Sequence, residues 1–310
     1  MKKVKGLVLL SGGLDSTLAV KILQKQGIKI TALSFKSYFF GTRAAEKAAK
    51  LLEAKLKIVD FSEEHLVMVK NPKHGYGKAM NPCIDCHALM LKKAGEIMKK
   101  KKFDFVATGE VLGERPMSQN LRALKLIEKE ASLAGFLLRP LSAKLLEPTV
   151  PEKEGLVDRD NLFDISGRGR GKQAALARLW QIKDYPAPAG GCLLTDPIFG
   201  KKLKELLQIC PKCGEKDVML LRYGRHFWFD KTKIVVGRNE SENRKIKTLA
   251  GRGDVLVEMK DYPGPQTLIK SYSKKEISSD ILTKAKELTK YYSTKARLLT
   301  EKIGFVIIKY

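Results

Sequence analysis

The first hundred residues alternate short apolar runs with amphipathic stretches, the pattern of strands alternating with helices. Strands are expected at 5–10, 30–35, 57–60 and 105–108. Helices are expected at 17–26, closed by Gly27, then at 42–54, 62–69 and 87–101. Ser62 reads as a cap, with Glu63 and Glu64 in the turn that follows. The 87–101 helix runs into four lysines, which suit its negative end. Alternation of this kind predicts an α/β fold, a doubly wound parallel sheet, with ligand at the carboxyl ends of the strands. Residues 71–82 read as a mobile loop, and 110–165 as a loop-rich closure punctuated by Pro140, Pro148 and Pro151.

Further along, a basic glycine-rich turn at 164–172 leads into a helix at 173–182. A second, rigid loop spans 186–192, and another helix 201–207. Beyond Cys213 the pattern changes to strands, at 218–222, 227–230, 233–236, 255–258 and 267–270. A helix at 279–298 and a strand at 305–309 follow. Three parts are expected: 1–165, an extension at 166–208 carrying a lone cysteine, and a smaller α+β part at 209–310. No internal repeat or low-complexity tract interrupts them.

Composition narrows the function. A chain of 310 residues is long enough for a sizeable core and two or three domains. No apolar run approaches the roughly 18–20 residues of a membrane span, and no signal peptide is legible. A cytoplasmic location without membrane association is expected. The 59 Lys and Arg against 34 Asp and Glu give a net charge of +25. Such an excess opposes itself and is best matched by a polyanion, nucleic acid first. Solubility or a thermophile-like surface is the blander alternative.

The sharpest local signal is Ser-Gly-Gly-Leu-Asp-Ser-Thr at 11–17, between an apolar strand and a helix start. Backbone amides of such a turn and the helix dipole form an anion cradle. Gly12 and Gly13 let the backbone curl, and Ser11, Ser16 and Thr17 add hydroxyls. The Gly-Lys-Ser/Thr end of a Walker loop is missing. The motif resembles the pyrophosphate loop of the N-type ATP pyrophosphatases, which implies ATP cleaved to AMP and pyrophosphate with adenylation of a substrate. The nucleotide would lie across the strand ends, near Phe35, Thr108 and Gly109. Asp15 could hold Mg²⁺ through an oxygen or a water, or be an ordinary first-turn acid. Phe35 could equally be core.

Five cysteines in a chain read as cytosolic argue against a disulfide scaffold. Cys83 and Cys86 stand at a helix start, a position that lowers thiol pKa. Cys192 follows Gly190 and Gly191, which would let its loop approach a bound group. His65, His74 and His87 read as surface or loop residues. Asn81-Pro-Cys-x-x-Cys86 and Phe103-Asp-Phe-Val-Ala-Thr-Gly109 resemble the tRNA 2-thiouridylases. The run from Thr108 to Gln119, with Arg139-Pro-Leu-Ser142, resembles the tRNA 4-thiouridine synthetases. The likeness covers roughly 5–200. It implies that ATP activates a uridine carbonyl oxygen and that sulfur then displaces AMP. Two versions exist in these families. Either Cys192 carries a persulfide that Cys86 resolves, or Cys83, Cys86 and Cys192 hold a [4Fe–4S] cluster. Asp15 would assist catalysis. Sulfide or a cysteine desulfurase would supply sulfur.

Cys210-Pro-Lys-Cys213-Gly is half of a zinc knuckle. Only His226 offers a further ligand nearby, so a degenerate knuckle, a site completed by another chain and two unligated thiols stay open. The stretches 222–228 and 236–244, then Gly253-Asp254 and Tyr262-Pro-Gly264, resemble the RNA-binding module of the NFACT ribosome-associated proteins. That likeness spans about 218–272. Without the N-terminal RNA-binding extension usual in 4-thiouridine synthetases, tRNA docking is expected from Arg168, Arg170, Lys172, Arg222, Arg225, Arg238 and Arg244. Phe227 and Trp228 could instead be strand core. The leading reading is a tRNA thiolase. A ligase amidating a small metabolite and a non-catalytic RNA-binding protein are the alternatives, and a homodimer is left open.

Overall fold

A computed structural model describes residues 3–187, 191–273, 276–300 and 303–310. Residues 188–190 of the rigid loop expected at 186–192, Gly190 among them, lie outside the described residues. The chain forms two units, Met1–Asp196 and Pro197–Tyr310. The first holds β1 (Lys5–Leu9), α1 (Leu14–Lys25), β2 (Lys29–Lys36), α2 (Arg43–Leu51), β3 (Lys55–Asp60), α3 (Ser62–Lys70), α4 (Cys83–Lys101) and β4 (Phe105–Ala107). It continues with α5 (Leu121–Glu130), β5 (Leu137–Leu138), α6 (Val150–Lys153) and α7 (Gly171–Leu179). The second holds α8 (Pro197–Ile209), α9 (Glu215–Leu220), β6 (Arg225–Phe229), β7 (Thr232–Val236) and α10 (Glu240–Leu249). It closes with β8 (Val255–Met259), β9 (Thr267–Ser271), α11 (Ser279–Tyr291) and β10 (Phe305–Lys309).

In the first unit five strands form one sheet in the order β3-β2-β1-β4-β5, every neighbour parallel. The central strands β1 and β4 are buried on both sides because helices cover both faces, whereas edge strand β3 carries exposed lysines. Adjacent residues of β1 go opposite ways: Val8 joins the core under α1, α2 and α7, and Leu7 the core under α4. The fold class agrees with the sequence. The strand order turns at β1, so α1 and the helices before β4 start from the carboxyl edge, where a doubly wound sheet binds its ligand.

The second unit carries an antiparallel sheet in the order β10-β8-β9-β7-β6. Helices α9 and α10 cover one face and α11 the other. Three sequence expectations differ here. The apolar run 218–222 is not a strand, since α9 covers most of it. Asp217 Oδ2 accepts from the Gly214 N–H at 2.9 Å and fixes the start of that helix. Helix α10 was not foreseen, because its only buried residues are Glu242 and Ile246. Helix α8 belongs with the second unit, so the division falls before it rather than near 208; Lys202 Nζ donates to the Leu221 carbonyl at 3.4 Å. In the first unit Ser62 lies inside α3, whose cap is Phe61, and its hydroxyl donates to Asp60. Among the described residues no helix is long and apolar enough to cross a membrane.

Candidate functional site

Strand β1 delivers the chain into the turn 11–13, and Gly13 begins α1 without a side-chain cap. The first amides of α1 are therefore left to an incoming acceptor. The hydroxyls stiffen the turn. Ser16 Oγ donates to the Gly13 carbonyl at 2.9 Å, Thr17 Oγ1 does the same at 2.9 Å, and the Gly13 N–H reaches Ser11 Oγ at 3.3 Å. Gly12 sits at φ +84, and a Cβ there would overlap the backbone of Ala44 and Ala45. Gly109, beyond β4, presses on the backbone of Asp15 and Ser16 in the same way. Both glycines are required by close approach of backbone to backbone.

Asp15 is not a solvated first-turn acid. Arg170, the residue just before α7, donates from Nη2 to its Oδ2 at 2.8 Å. Arg170 Nε lies 3.9 Å from Glu114. Burial, and then the Asp15 charge, raise the Glu114 carboxyl above its usual range. Asp15 Oδ1 and Arg170 Nε are buried without hydrogen-bond partners, as are both amide atoms of Gln173 on α7. Each such orphan costs about 1–3 kcal/mol unless something satisfies it. They cluster where α1 and α7 begin, beside the turn. Glu114 and Gln173 carry no local sequence signal for this site: Glu114 meets Arg170 from 56 residues away, and Gln173 is a buried polar side chain in an ordinary helical stretch.

Thr108 is buried, and its Oγ1 donates to Glu110 Oε2 at 3.1 Å. Phe35 is 5 % exposed and packs against Phe61 at 5.1 Å, so its ring is core. His87 is held by Glu110 at 2.7 Å, and Arg139 bridges Glu110 and Glu128 at 3.0 Å each. Burial alone would raise the Glu110 carboxyl; Arg139 and His87 outweigh it and hold it at about 2. His74 pairs with Glu130 at 2.9 Å. His65 is a correction. It is fully buried, stacked on Phe61 at 4.7 Å, and burial lowers its pKa to about 4.

The three thiols of this unit are neighbours. Cys83 and Cys86 open α4 at the carboxyl edge of the sheet. The Leu193 N–H donates to the Phe39 carbonyl at 3.0 Å, which ties Cys192 to the loop after β2. Asn81 Nδ2 donates to Cys83 Sγ at 3.3 Å. The expectation that the helix start lowers these thiols fails at Cys86. Burial drives it well above the ordinary range, and the charges of Cys192, Cys83 and Asp85 add to this. Burial, with Cys83 beside it, pushes Cys192 up to about 11. Among the described residues no three His, Cys, Asp or Glu side chains are set to hold a single metal ion. A four-iron cluster is wider than one ion and takes its thiolates further apart. Three soft thiolates are a fitting donor set for it and leave one iron open.

The expected RNA contacts divide. Arg168 is exposed, and Lys172 makes a surface pair with Asp164 at 2.8 Å. Arg170 faces the phosphate turn instead. In the second unit Arg222 is exposed, and Arg225 lies 4.4 Å over the Tyr292 ring. Arg238 donates from Nε to Glu242 Oε1 at 2.9 Å, and Glu242 also accepts from the Gly224 N–H. Arg244 pairs with Glu240 on the surface at 2.7 Å. Phe227 packs in the core with Tyr292, while Trp228 meets Tyr272 at 5.6 Å. His226 is lowered to about 2, first by burial and then by Lys233 and Lys202.

A strand, a glycine turn and a helix start, with a thiol trio at the same sheet edge, define a pyrophosphate-loop α/β unit. Residues 2–144 match the family described as thiamine biosynthesis protein (ThiI), and residues 224–303 match the NFACT protein RNA binding domain. The first region of the chain is thus similar to that family, and its C-terminal region is similar to the NFACT RNA-binding domain. A probable tRNA sulfurtransferase of Finegoldia magna is 33 % identical over 143 residues, 45 % of this chain and 36 % of that protein. A probable tRNA sulfurtransferase of Moorella thermoacetica is 31 % identical over 149 residues, 45 % of this chain and 36 % of that one. A tRNA-specific 2-thiouridylase MnmA of Sulfurimonas denitrificans is 33 % identical over 120 residues, 35 % of each. The chain spans about a third of the length of these relatives. A solved 4-thiouridine synthetase–RNA complex with bound ATP shares 21 % identity at a TM-score of 0.38, over 57 % of this chain and 50 % of that one.

Proposed function

We propose that this chain is an ATP-dependent tRNA sulfurtransferase that activates a uridine carbonyl oxygen with ATP and replaces it with sulfur. The observation that carries the reading is the pairing, in one unit, of an uncapped glycine turn with three neighbouring thiols. The matched regions and the names of the relatives support it, and so does the net charge of +25.

The division of labour follows from the residues. The amides of 12–16 hold the triphosphate, with Ser11, Ser16 and Thr17 shaping the turn. Thr108 and Gly109 wall the crevice. Arg170 stabilises phosphate charge, and Asp15, once released from it, meets Mg²⁺. Tethering base and nucleotide in one crevice favours attack of the carbonyl oxygen on the α-phosphorus. Cys83, Cys86 and Cys192 would hold a [4Fe–4S] cluster, which when bound supplies an open iron for sulfide. Burial keeps Cys86 and Cys192 protonated without a cation, so ionisation awaits a positive partner. A persulfide on Cys192, resolved by Cys86, uses the same thiols and needs no iron. Arg168, Lys172, Arg222, Arg225 and Arg244 meet tRNA phosphates. Arg238 shapes the turn at Gly224 through Glu242.

The test is pyrophosphate release from ATP with and without bulk tRNA. Stimulation by tRNA is the expected result. Release stimulated by a small amine acceptor but by no RNA would replace the reading with a ligase.

A further inference from the structure

The second unit contains a cysteine pair that the proposed reaction does not use. Residues 210–213 form a turn closed by the Cys213 N–H donating to the Cys210 carbonyl at 3.0 Å. A four-residue turn holds its end Cα atoms within about 7 Å, inside or near disulfide reach. Pro211 presets the turn. The two thiols differ in access: Cys210 is half-buried, and Cys213 is 2 % exposed.

A basic cluster underlies the turn. Lys233 on β7 is 1 % exposed, and its ammonium lies 4.7 Å over the Trp228 ring. Lys233 makes no ion pair among the described residues, yet it lies in electrostatic reach of the Cys213 thiol. Next to it on the sheet, Lys270 is already taken by Asp254 at 3.1 Å and Asp217 at 3.6 Å. Asp217 also accepts from Tyr272 and anchors the Gly214 N–H after the turn. Burial lowers the Lys233 pKa to about 7, so the side chain is partly charged at neutral pH, and its charged form favours the neighbouring thiolate. A zinc knuckle needs two more ligands, and among the described residues no group of three supplies a metal site.

We infer that Cys210 and Cys213 form a reversible dithiol–disulfide couple that exchanges with small-molecule disulfides of the glutathione class. The Cys210 thiolate attacks one sulfur of the small disulfide and expels one thiolate. Cys213, its thiolate favoured by Lys233, then attacks Cys210 Sγ and expels the second. The protein pair loses two electrons and two protons. The small disulfide gains both and leaves as two thiols.

The experiment equilibrates the whole chain in glutathione buffers of graded oxidation, then quenches by alkylation and digests with trypsin. Cleavage after Lys212 separates the two cysteines, so a disulfide leaves peptides 205–212 and 213–216 joined. The expected result is a joined fraction that follows a two-electron titration and reverts on reduction. Lys233→Met is expected to slow closure about tenfold at neutral pH; the wild-type titration decides the main point even if that variant does not fold. Three results overturn the inference: both thiols reduced throughout, Cys210 stopping at a mixed disulfide, or one zinc per chain protecting both from alkylation. An unchanged rate in Lys233→Met overturns the role given to that lysine.

Discussion

Arg170 holds Asp15 across 155 residues of chain, Nη2 to Oδ2 at 2.8 Å. The contact joins the starts of α7 and α1 at the phosphate turn. It places a guanidinium where a triphosphate would bring negative charge, and it leaves Asp15 Oδ1 without a partner. A nucleotide with its cation would satisfy both.

Arg170→Ala is therefore expected to weaken ATP binding. A hydrogen bond between charged groups contributes about 1.5–3 kcal/mol, a loss of roughly ten- to hundredfold in affinity. Binding of tRNA should stay within about twofold, because Arg170 is engaged with Asp15 and Glu114 at the turn and is not among the residues proposed to meet tRNA phosphates. Calorimetric ATP titration beside a tRNA gel shift checks this. Weakened tRNA binding with intact ATP binding would return Arg170 to the RNA surface.

Gly109→Ala tests the fit of β4 against α1. Its new methyl would overlap the backbone of Asp15 and Ser16, which a flexible side chain cannot relieve. Displacement of the α1 start should cost about 1–3 kcal/mol of stability and lower ATP affinity together. Urea unfolding and ATP titration on one sample check it. A stable variant with normal ATP affinity would contradict the close approach.

His65 predicts a pH dependence. Burial lowers its pKa from 6.5 to about 4, so the unfolded chain binds a proton that the folded chain refuses. Its contribution is complete above pH 6.5 and is lost as pH falls from 6.5 towards 4, by about 3 kcal/mol. His65→Gln keeps a partner for Ser37 and should flatten stability across that window in urea titrations. An unchanged slope would remove His65 as a source.

The phosphate turn and its sheet were legible because local signals agree: an apolar strand, two glycines, then a helix start. The run 218–222 was misread because a short apolar stretch fits a strand or a buried helix face alike; the deciding contact, Asp217 to Gly214, is polar. Helix α10 was hidden by its charged exposed face. His65 gave no sign of burial, since Phe39 and Phe61 enclose it only in three dimensions. The Glu110–Arg139 pair spans 29 residues, and Arg170–Asp15 far more. The cysteine trio was legible as a set of residues, but not its chemistry. Burial reverses the effect of the helix start on Cys86.

The most direct measurement is sulfur incorporation into tRNA by anaerobically prepared chain, with ATP and sulfide, scored beside pyrophosphate release. For Cys83→Ser, Cys86→Ser and Cys192→Ser alike, thiolated uridine should fall to background while tRNA-stimulated pyrophosphate release persists. A Cys192→Ser protein that thiolates tRNA at the wild-type rate would contradict the thiol trio as the sulfur site.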